Sequence, residues 1–512
     1  MKAGAIFIIG AGPGDPGLMT ARGLEYLSSA DVIVYDHAIN RRLLRSAKAD
    51  AELIDVGGSS PKAVARDAIC FLLVEKAREG KTVARLKWGD PFVFEGGGEE
   101  ALFLHEQGMK FEVVPGVPAA TGMPPYAGVP ITYTGGGDAL TIIRGYEDGG
   151  KALPDVDWNA LARLDGTVAC YAGGPQLPRI LEALTTHGWP AETPAVIIYN
   201  GTLATQDTKS GSLGDFLTLL RDNPRREPAL LVVGRTVSFR DHLRWFDQRP
   251  LFGKRILVTR PRAQAGELID RLAAFGAEAV EAPMIRIVPP EDSGPLEDAA
   301  SRVSEFDWIV FTSVNAVEAF MQTLLSGDRD VRAMKGPRIC TVGIATAEKL
   351  TGYHIKVDLV PPEFKAEAAF DALRQQGSLD GARILLPRAD IGRDVLTEEL
   401  RRSGAVVTDV VAYRTVLDEG QREGDPDIYG MLLERRIDTV TFTSASAIRN
   451  FVKVYGAEQT ADLLRKIPVA VIGPVTAEAV AKAGIEVSIQ PQRYTIAALV
   501  DAIAEHFSWQ HK

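Results

Sequence analysis

Short apolar runs, separated by polar and glycine-rich turns, recur through the first half of the chain, and each is typical of a buried strand. The runs are AIFIIG, DVIVYD, TVARLK, FEVVPG, LTIIRG, TVACYAG, AVIIYN and ALLVVG. After the first run, LMTARGLEYLSSA spaces its apolar residues as one face of a helix does. This alternation of strands and helices predicts an α/β fold over residues 4–246.

The second half of the chain contains an internal repeat. GKRILVTRPRAQAGELIDRLAAFGAEAV is echoed by GARILLPRADIGRDVLTEELRRSGAVVTDV, FDWIVFTSVNAVEAF by IDTVTFTSASAIRNF, and ICTVGIATAEKL by VAVIGPVTAEAV. The offset between the members of each pair stays near 130 residues. A constant offset predicts that residues 253–507 are two copies of one α/β unit.

Two further segments, EAPMIRIVPP (281–290) and VVAYRTVL (410–417), fall where one copy gives way to the other. We therefore expect them to be strands that cross between two lobes. The predicted organisation is a first domain at 1–246, a linker at 247–252 and a second domain at 253–512, with lobe one at 253–288 plus 418–507 and lobe two at 289–417.

Hydroxyl residues follow the apolar runs of the repeat at the points where helices begin. Serine and threonine are common helix N-caps, and the same helix starts can direct unpaired N–H groups at an anion. Both roles can hold at once. Two facing lobes would then form a cleft suited to a ligand with many carboxylates, lined by Thr312, Ser313 and Thr346 on one side and by Thr443, Ser444 and Thr476 on the other.

Two arginines, Arg260 and Arg388, end equivalent strands of the repeat. A guanidinium group can form paired hydrogen bonds with a carboxylate, so both are candidates for binding acid side chains of a substrate. Surface or structural roles stay open for both.

Composition narrows the class of protein. The chain has 512 residues, 46% hydrophobic and 24% charged, which predicts a soluble protein of several domains. A formal charge of -10 gives nucleic-acid binding no electrostatic support.

Cys70, Cys170 and Cys340 are far apart, and no cysteine–histidine spacing of a metal site occurs. The N-terminal segment lacks the pattern of a signal peptide, and no apolar run is long enough to span a membrane, so we expect a cytoplasmic protein without metal.

The opening GAGPGD, with Asp36 downstream, is similar to a dinucleotide-binding fingerprint. Asp15 stands where the third glycine of that fingerprint belongs, and Pro13 stiffens a turn that needs freedom. The sequence therefore does not favour a dehydrogenase.

The second half resembles uroporphyrinogen-III synthase on RILVTRP, FTSVNAV, VGIATA, VAYRT, FTSASAI and IGPVTA, which occur in family order. The resemblance implies that hydroxymethylbilane is closed to uroporphyrinogen III with inversion of ring D, without a cofactor. In that family a tyrosine on the linker strand is the favoured acid, which implies this role for Tyr413. The structural alternative is a tyrosine packed at a lobe junction.

The first half resembles the uroporphyrinogen-III C-methyltransferases of the tetrapyrrole methylase family. The motifs are IFIIGAGPGDPGLMTARGLEYLSSADVIVYD, KWGDPFVFEGGGEE, EVVPGVPAATGMPPYAGVPIT and PALLVVGR. Such enzymes have two α/β lobes that bind S-adenosylmethionine (SAM) between them. The resemblance implies that Asp36 is the catalytic base, with a strand-end cap as the alternative. It places the cofactor contacts on Pro13, Trp88, Gly89, Asp90, Val93, Pro118, Ala119, Ala172 and Gly201.

The first half departs from its family at several positions. Among the cofactor contacts, Trp88 replaces a glycine, Pro118 a threonine and Ala172 a methionine. Basic or histidine residues of the family are replaced by Gly58, Gly96, Tyr133, Thr134 and Tyr146. Gly58 stands in place of a lysine and Gly96 in place of an arginine.

The leading hypothesis is a bifunctional enzyme that makes uroporphyrinogen III and methylates it with SAM toward precorrin-2, on the siroheme or cobalamin branch. The alternative is an active synthase whose methylase-like domain is non-catalytic or has an altered substrate. A bilobal protein that only binds ligand ranks third. The methylase resemblance also implies a homodimer.

Overall fold

A computed structural model describes residues 4–48, 50–57, 64–136, 138–145, 153–222, 225, 227–326, 329–362, 366–390, 395–417 and 426–509. The chain divides into two compact units. The first comprises Met1–Arg255, Arg271–Ala279 and Ala504–Lys512, and the second comprises Ile256–Asp270 and Val280–Ile503.

The first unit contains two five-stranded sheets. Its strands are β1 (Ile6–Gly10), β2 (Val32–Tyr35), β3 (Glu52–Asp55), β4 (Val83–Lys87), β5 (Phe111–Val114), β6 (Ala139–Arg144), β7 (Gly166–Ala172), β8 (Pro194–Tyr199), β9 (Asp207–Ser212) and β10 (Ala229–Val233). The first sheet has the order β3-β2-β4-β1-β5 and is parallel throughout. The second has the order β6-β7-β10-β8-β9, in which only β6 and β7 are parallel.

Helices cover these sheets. They are α1 (Ala21–Ser29), α2 (Arg66–Arg78), α3 (Gly97–Glu106), α4 (Ala119–Tyr126), α5 (Trp158–Ala162), α6 (Leu177–Thr186), α7 (Leu213–Asp222) and α8 (Arg240–Leu243), with 3-10 turns at Pro16–Leu18, Arg41–Ser46 and Arg235–Phe239. Both faces of the first sheet are buried: Ile8 packs into one apolar cluster and Ile9 into the other. A parallel sheet covered on both faces requires nearly continuous apolar strands, which the sequence provides.

The second unit also contains two sheets. The strands that lie wholly or partly in it are β11 (Arg255–Val258), β12 (Glu278–Glu281), β13 (Ile285–Val288), β14 (Trp308–Phe311), β15 (Arg338–Thr341), β16 (Arg383–Ala389), β17 (Val406–Leu417), β18 (Thr439–Phe442) and β19 (Val469–Val471). The sheet orders are β12-β11-β18-β19 and β13-β17-β16-β14-β15. When β13 is left out, the strand order of the second of these sheets is β17-β16-β14-β15. The sequence repeat pairs each of these strands with the strand at the same place in the order of the other sheet.

The helices that lie wholly or partly in this unit are α9 (Arg262–Ala274), α10 (Gly294–Ser301), α11 (Val314–Leu325), α12 (Ile344–Gly352), α13 (Ala366–Gln375), α14 (Val395–Arg402), α15 (Ile428–Leu433), α16 (Ala445–Tyr455), α17 (Ala457–Leu464), α18 (Pro474–Lys482) and α19 (Ile496–Trp509). Short 3-10 turns lie at Val303–Glu305 and Val331–Met334. Phe311 and Phe320 pack edge to face at 5.6 Å, and Phe442 and Phe451 repeat that pair at the same separation. The predicted fold, a bilobal α/β half followed by two similar α/β lobes, is confirmed. The domain and lobe boundaries read from the sequence stay predictions.

Within the described part of the chain, no helix combines the length and apolar character that a membrane crossing requires. The three cysteines are buried and form no disulfide.

Candidate functional sites

Three loops meet at the carboxyl edge of the first sheet. The backbones of Gly12 and Gly89 exchange hydrogen bonds in both directions, with N···O distances of 2.9 and 3.1 Å. A Cβ atom added to Gly10 would lie 2.5 Å from the Cα atom of Gly116 and 2.7 Å from the carbonyl oxygen of Gly89. These glycines are therefore required because three backbones approach one another closely, a role different from that of glycines in a dinucleotide fingerprint.

Three of the predicted cofactor residues border one space beside these loops. Gly89 has a φ of +63°, in the left-handed region that favours glycine. A Cβ atom added to it would have as its nearest neighbours the backbone nitrogen of Ala119, at 3.9 Å, and the Cα atom of Pro118, at 4.0 Å. Backbone atoms of all three residues can thus face a flat ligand at this point.

Helix α4 holds Pro13 and Gly201 beside this space. A Cβ atom on Gly122 of α4 would come within 2.9 Å of Cγ of Pro13, and one on Gly201 within 2.5 Å of Cγ of Met123. Trp88 closes the other side, because its Nε1 atom donates to the carbonyl oxygen of Pro13 at 3.2 Å. The structure therefore brings Pro13, Trp88 and Gly201 into the same neighbourhood as the three residues above.

Two predicted cofactor residues have side chains engaged in other contacts. The carboxylate of Asp90 accepts backbone N–H groups of Phe92, at 2.8 Å, and Gly116, at 3.0 Å, so it ties two loops together. Val93 lies in the same turn, where its N–H donates to the carbonyl oxygen of Asp90. Ala172 points its side chain into the cluster on one face of the second sheet, whereas neighbouring Tyr171 packs on the opposite face toward α4. Only the backbone of Ala172 is therefore available to a ligand on the α4 side.

Asp36 lies at the open end of a buried network of charges. Its Oδ1 atom accepts from Nη2 of Arg85 at 2.6 Å, and its Oδ2 atom from the backbone N–H of Trp88 at 3.4 Å. Arg85 also binds both oxygens of Glu100, at 3.1 and 3.2 Å, and Glu100 accepts from Nζ of Lys87 at 2.7 Å. The side chain of Asp36 is 19% exposed, whereas that of Arg85 is 2% exposed. Asp36 is thus oriented by the buried Arg85 and still accessible to a substrate, and a general base requires both.

The sequence contained a signal for this network that the interpretation of its motifs missed. Arg85 and Lys87 alternate with apolar residues in strand β4, so their side chains lie on the same face of a buried strand. Buried charges of this kind require partners. The spacing could have indicated that a carboxylate such as Glu100 lies opposite them.

Glu95 carries the most perturbed carboxyl group in this region. Burial raises its pKa to about 7, and the nearby charge of Asp36 acts in the same direction. Its ionised form is therefore unfavourable in the folded protein, although Lys87 and Arg144 partly offset the cost.

We expect replacement of Glu95 by glutamine to stabilise the protein at alkaline pH. Between pH 4.5 and about 7 the folded protein holds a proton that the unfolded chain releases, so the free energy of unfolding falls as pH rises through this window. Removing the ionisable group should raise the free energy of unfolding by about 2–3 kcal/mol at pH 8, with little effect near pH 5. Urea denaturation at both pH values measures the difference. Glu106→Gln, an exposed position on α3, is the control, and equal gains at both pH values would refute the assignment.

The departures from the methylase pattern lie in different surroundings. Tyr133 is 54% exposed and packs on Phe239, with ring centroids 4.5 Å apart, and Thr134 is exposed. Gly96 has a φ of +72° and lies directly before α3. Gly58 and Tyr146 lie outside the described residues.

In the second unit, two predicted site residues are in direct contact. The hydroxyl groups of Tyr413, on β17, and Ser313, before α11, lie 3.1 Å apart. The Oγ atom of Ser313 also accepts the N–H of Ala316, so it caps α11. Tyr413 is 8% exposed. Its phenol is therefore held at a helix start in the second lobe.

The remaining hydroxyl residues divide into two groups. Ser444 caps α16 by accepting the N–H of Ala447 and lies 3.0 Å from Oγ of Ser446. Thr312 and Thr443 are half-buried in the loops that precede these helices. Thr346 and Thr476 lie inside the first turns of α12 and α18 and are each 4% exposed. The capping role is observed for both serines, whereas the two buried threonines offer little surface to a ligand.

The two lobes of the second unit meet near these residues. Nε2 of Gln264, in the first turn of α9, donates to Oδ1 of Asn315, in the first turn of α11. Arg260 precedes α9 as Ser313 precedes α11. The contact therefore brings the loops that carry these two candidates to face each other.

The two repeated arginines have different surroundings. Nε of Arg388 donates to Oδ1 of Asp409 at 2.7 Å, and Thr397 binds the other oxygen of that carboxylate. For Arg260, no hydrogen bond or ion pair is found among the residues that the structure describes, and burial lowers its pKa, opposed by the charge of Glu267. A half-buried guanidinium of this kind favours an incoming carboxylate.

Metal-binding geometry is not observed: within the described ranges, no three or more His, Cys, Asp or Glu side chains are grouped to hold an ion.

Comparison with known proteins assigns both halves. Residues 5–217 match the family model of tetrapyrrole (corrin/porphyrin) methylases, and residues 266–501 match that of uroporphyrinogen-III synthase HemD. The porphyrin biosynthesis protein HemD of Ruminiclostridium josui is 33% identical over 506 residues, covering 99% of this chain and 98% of that protein.

Other relatives match only part of the chain. A uroporphyrinogen-III C-methyltransferase of Bacillus subtilis is 36% identical, covering 65% of this chain and 68% of its own. The crystal structure of uroporphyrin-III C-methyltransferase from Thermus thermophilus with S-adenosylhomocysteine is 31% identical, with a TM-score of 0.40, covering 46% of this chain and 93% of that one.

The folds and matches together define a two-domain enzyme of tetrapyrrole metabolism. The chain belongs to the family of porphyrin-biosynthesis proteins that join a tetrapyrrole methylase to a uroporphyrinogen-III synthase.

Proposed function

We propose that this chain is a bifunctional enzyme that closes hydroxymethylbilane to uroporphyrinogen III and then methylates the product with SAM toward precorrin-2. The supporting observation is that both family matches fall in one chain, which also aligns with a relative along 99% of its length. The activities would reside in domains at 1–246 and 253–512. An unstable porphyrinogen would thus be made and consumed by the same protein, on the siroheme or cobalamin branch.

In the synthase half, Tyr413 is the proposed acid. Its hydroxyl group would protonate the hydroxyl leaving group of hydroxymethylbilane, so that water departs and an azafulvenium cation forms. The terminal pyrrole then attacks at its substituted carbon, and rearrangement of a spiro intermediate inverts ring D. Ser313 supports this role because its hydroxyl, fixed by the cap of α11, holds the phenol at 3.1 Å. A positioned acid of this kind favours closure of the substrate held on the enzyme over spontaneous closure in solution.

Arg260 is the proposed contact for a substrate carboxylate, and Arg388 serves a structural role. We expect Arg260→Ala to raise the KM for hydroxymethylbilane about tenfold with little change in the free energy of unfolding, because a charge-assisted hydrogen bond to substrate is lost. Arg388→Ala should instead lower the free energy of unfolding by about 2–4 kcal/mol, since Asp409 would stay buried without its partner. Steady-state kinetics and urea denaturation of both variants test this pair, and a rise in KM for Arg388→Ala alone would reverse the assignment.

In the methylase half, the proposed place for SAM is beside Gly89, Pro118 and Ala119. The backbone groups there approach without intervening side chains, and a Cβ atom on Gly201 would have no room. Bound SAM supplies an electrophilic methyl group. The pyrrole carbon that takes the methyl group already carries an acid side chain and has no hydrogen to lose. Asp36, oriented by Arg85, would therefore accept the proton from elsewhere on the methylated pyrrole, either its N–H or the adjoining bridge methylene. Trp88 would shield one side of the site through its bond to Pro13.

A second candidate function follows from the departures in the methylase half. Thr134 and the exposed Tyr133 stand where the family has basic or histidine residues. A synthase joined to a methylase-like domain with an altered substrate would account for these exchanges. The predicted homodimer stays a prediction.

The synthase activity is tested with hydroxymethylbilane alone. The purified full-length chain should convert it to the type III isomer of uroporphyrinogen, resolved by chromatography after oxidation. Only the type I isomer, which forms without enzyme, would contradict the synthase assignment.

A further inference from the structure

A cavity of about 330 Å³ opens in the first unit, between the start of α2 and the end of β6. The residues that line it are Arg66, Pro91, Phe92, Phe94, Gly96, Gly98, Glu99 and Arg144. Arg66 begins α2, beside the first sheet, and Arg144 ends β6 in the second sheet. Its volume lies within the range of small-molecule sites, and cations reach it from both sheets of the unit.

Arg66 occupies the space beside Gly96. A Cβ atom added to Gly96 would lie 3.1 Å from Nη2 and 3.3 Å from Cζ of Arg66. The guanidinium group of Arg66 therefore lies where a side chain on residue 96 would begin. The resemblance to the methylases implies an arginine at this position, where this chain has glycine.

The ion pair that Arg66 forms leaves it available to a ligand. Its Nη1 atom lies 3.5 Å from Oε1 of Glu99, and the two side chains are 52% and 61% exposed. An exposed pair at this distance contributes little stability. A carboxylate entering the cavity could replace Glu99 at small cost.

Arg144 adds positive charge from the opposite side. It is half-buried, and its charge acts on Glu95, which lies between Phe94 and Gly96. The aromatic side chains of Phe92 and Phe94 lie in the same wall, and each exposes more than a third of its surface. Two guanidinium groups and two exposed aromatic rings suit a ligand that combines pyrrole rings with acid side chains.

We propose that Arg66 and Arg144 bind carboxylate side chains of the tetrapyrrole, and that Arg66 supplies from helix α2 the charge that Gly96 has lost. This inference rests on the part of the proposed function that makes a tetrapyrrole the ligand of the methylase half. It accounts for how the site can bind an octacarboxylate although its glycine-rich loop lacks the family's arginine.

The test uses the full-length chain and uroporphyrin III, the stable oxidised form of the proposed methylase substrate. Fluorescence titration of the wild type should resolve two sites, one in each half. Arg66→Ala should weaken one site about tenfold, and Arg260→Ala should weaken the other. Arg78→Ala, at the opposite end of α2, is the matched control and should change neither affinity. Arg144→Ala should act on the same site as Arg66→Ala.

The outcomes separate this inference from the proposed function. Unchanged affinities for Arg66→Ala would overturn the inference, whether or not the wild type transfers methyl groups. A second outcome is that Arg66→Ala loses one binding site while the wild type transfers no methyl group from SAM. That outcome would uphold the inference and overturn the methylation. SAM affinity, measured by calorimetry, should be the same in Arg66→Ala and the wild type, which excludes a general disturbance of the half.

Discussion

Replacement of Asp36 by asparagine is expected to lower the rate of methyl transfer at least about a hundredfold, because a positioned general base contributes a factor of that order. Asparagine keeps the shape of the side chain and can still accept from Nη2 of Arg85, so the loop should stay in place. It cannot take up a proton at neutral pH. Formation of uroporphyrinogen III by the other half should be unchanged, and this activity serves as an internal control for the folding of the variant.

Asp55→Asn is the matched variant for this experiment. Asp55 ends β3 beside the end of β2, and its carboxylate contacts His37 and Arg41 on the protein surface. We expect methyl transfer within about twofold of wild type, since surface pairs contribute little. SAM binding should persist in both variants. Wild-type methylation by Asp36→Asn would show that Asp36 serves only to cap the strand end.

Replacement of Tyr413 by phenylalanine is expected to lower the rate of enzymatic ring closure about a hundredfold, through loss of a proton donor. The phenyl ring should keep its packing in the second lobe, and Ser313 should still cap α11, so the free energy of unfolding should change by only about 1 kcal/mol. The product should shift toward the type I isomer as spontaneous closure overtakes the enzyme.

Tyr429→Phe provides the comparison, because Tyr429 is 40% exposed on α15. Its activity should equal that of the wild type. Ser313→Ala should lie between the two, with loss of the cap costing about 1 kcal/mol and a smaller fall in rate. A Tyr413→Phe variant that makes the type III isomer at the wild-type rate would leave packing at the lobe junction as the only role of Tyr413.

The apolar runs of the first half predicted every strand of the first unit except β3 and β9, two polar strands at sheet edges. The edge strands β5 and β6 are more apolar and were predicted. The apolar runs match β1, β2, β4 to β8 and β10. Strand β9 reads DTKSGS, and β3 is largely exposed; both lie at the edge of a sheet. An edge strand faces water on one side and does not need a continuous apolar run, so periodicity gives little signal there.

The candidate sites were predictable where they follow from motifs and not where they depend on tertiary pairing. The resemblance selected Asp36 but not Arg85, which binds it from 49 residues along the chain, nor Glu100, which holds Arg85 from a further 15 residues away. The repeat made Arg260 and Arg388 equivalent, although only Arg388 has Asp409 beside it. Partners of this kind come from separate strands and helices, so spacing along one segment does not reveal them.

The most direct test of the bifunctional enzyme supplies hydroxymethylbilane and SAM together to the purified full-length chain and determines the mass of the tetrapyrrole product. A bifunctional enzyme should give the type III skeleton with two added methyl groups, and should release two S-adenosylhomocysteine molecules for each tetrapyrrole. Uroporphyrinogen III without added methyl groups, formed while SAM is in excess, would contradict the methylation and leave an active synthase joined to a methylase-like domain.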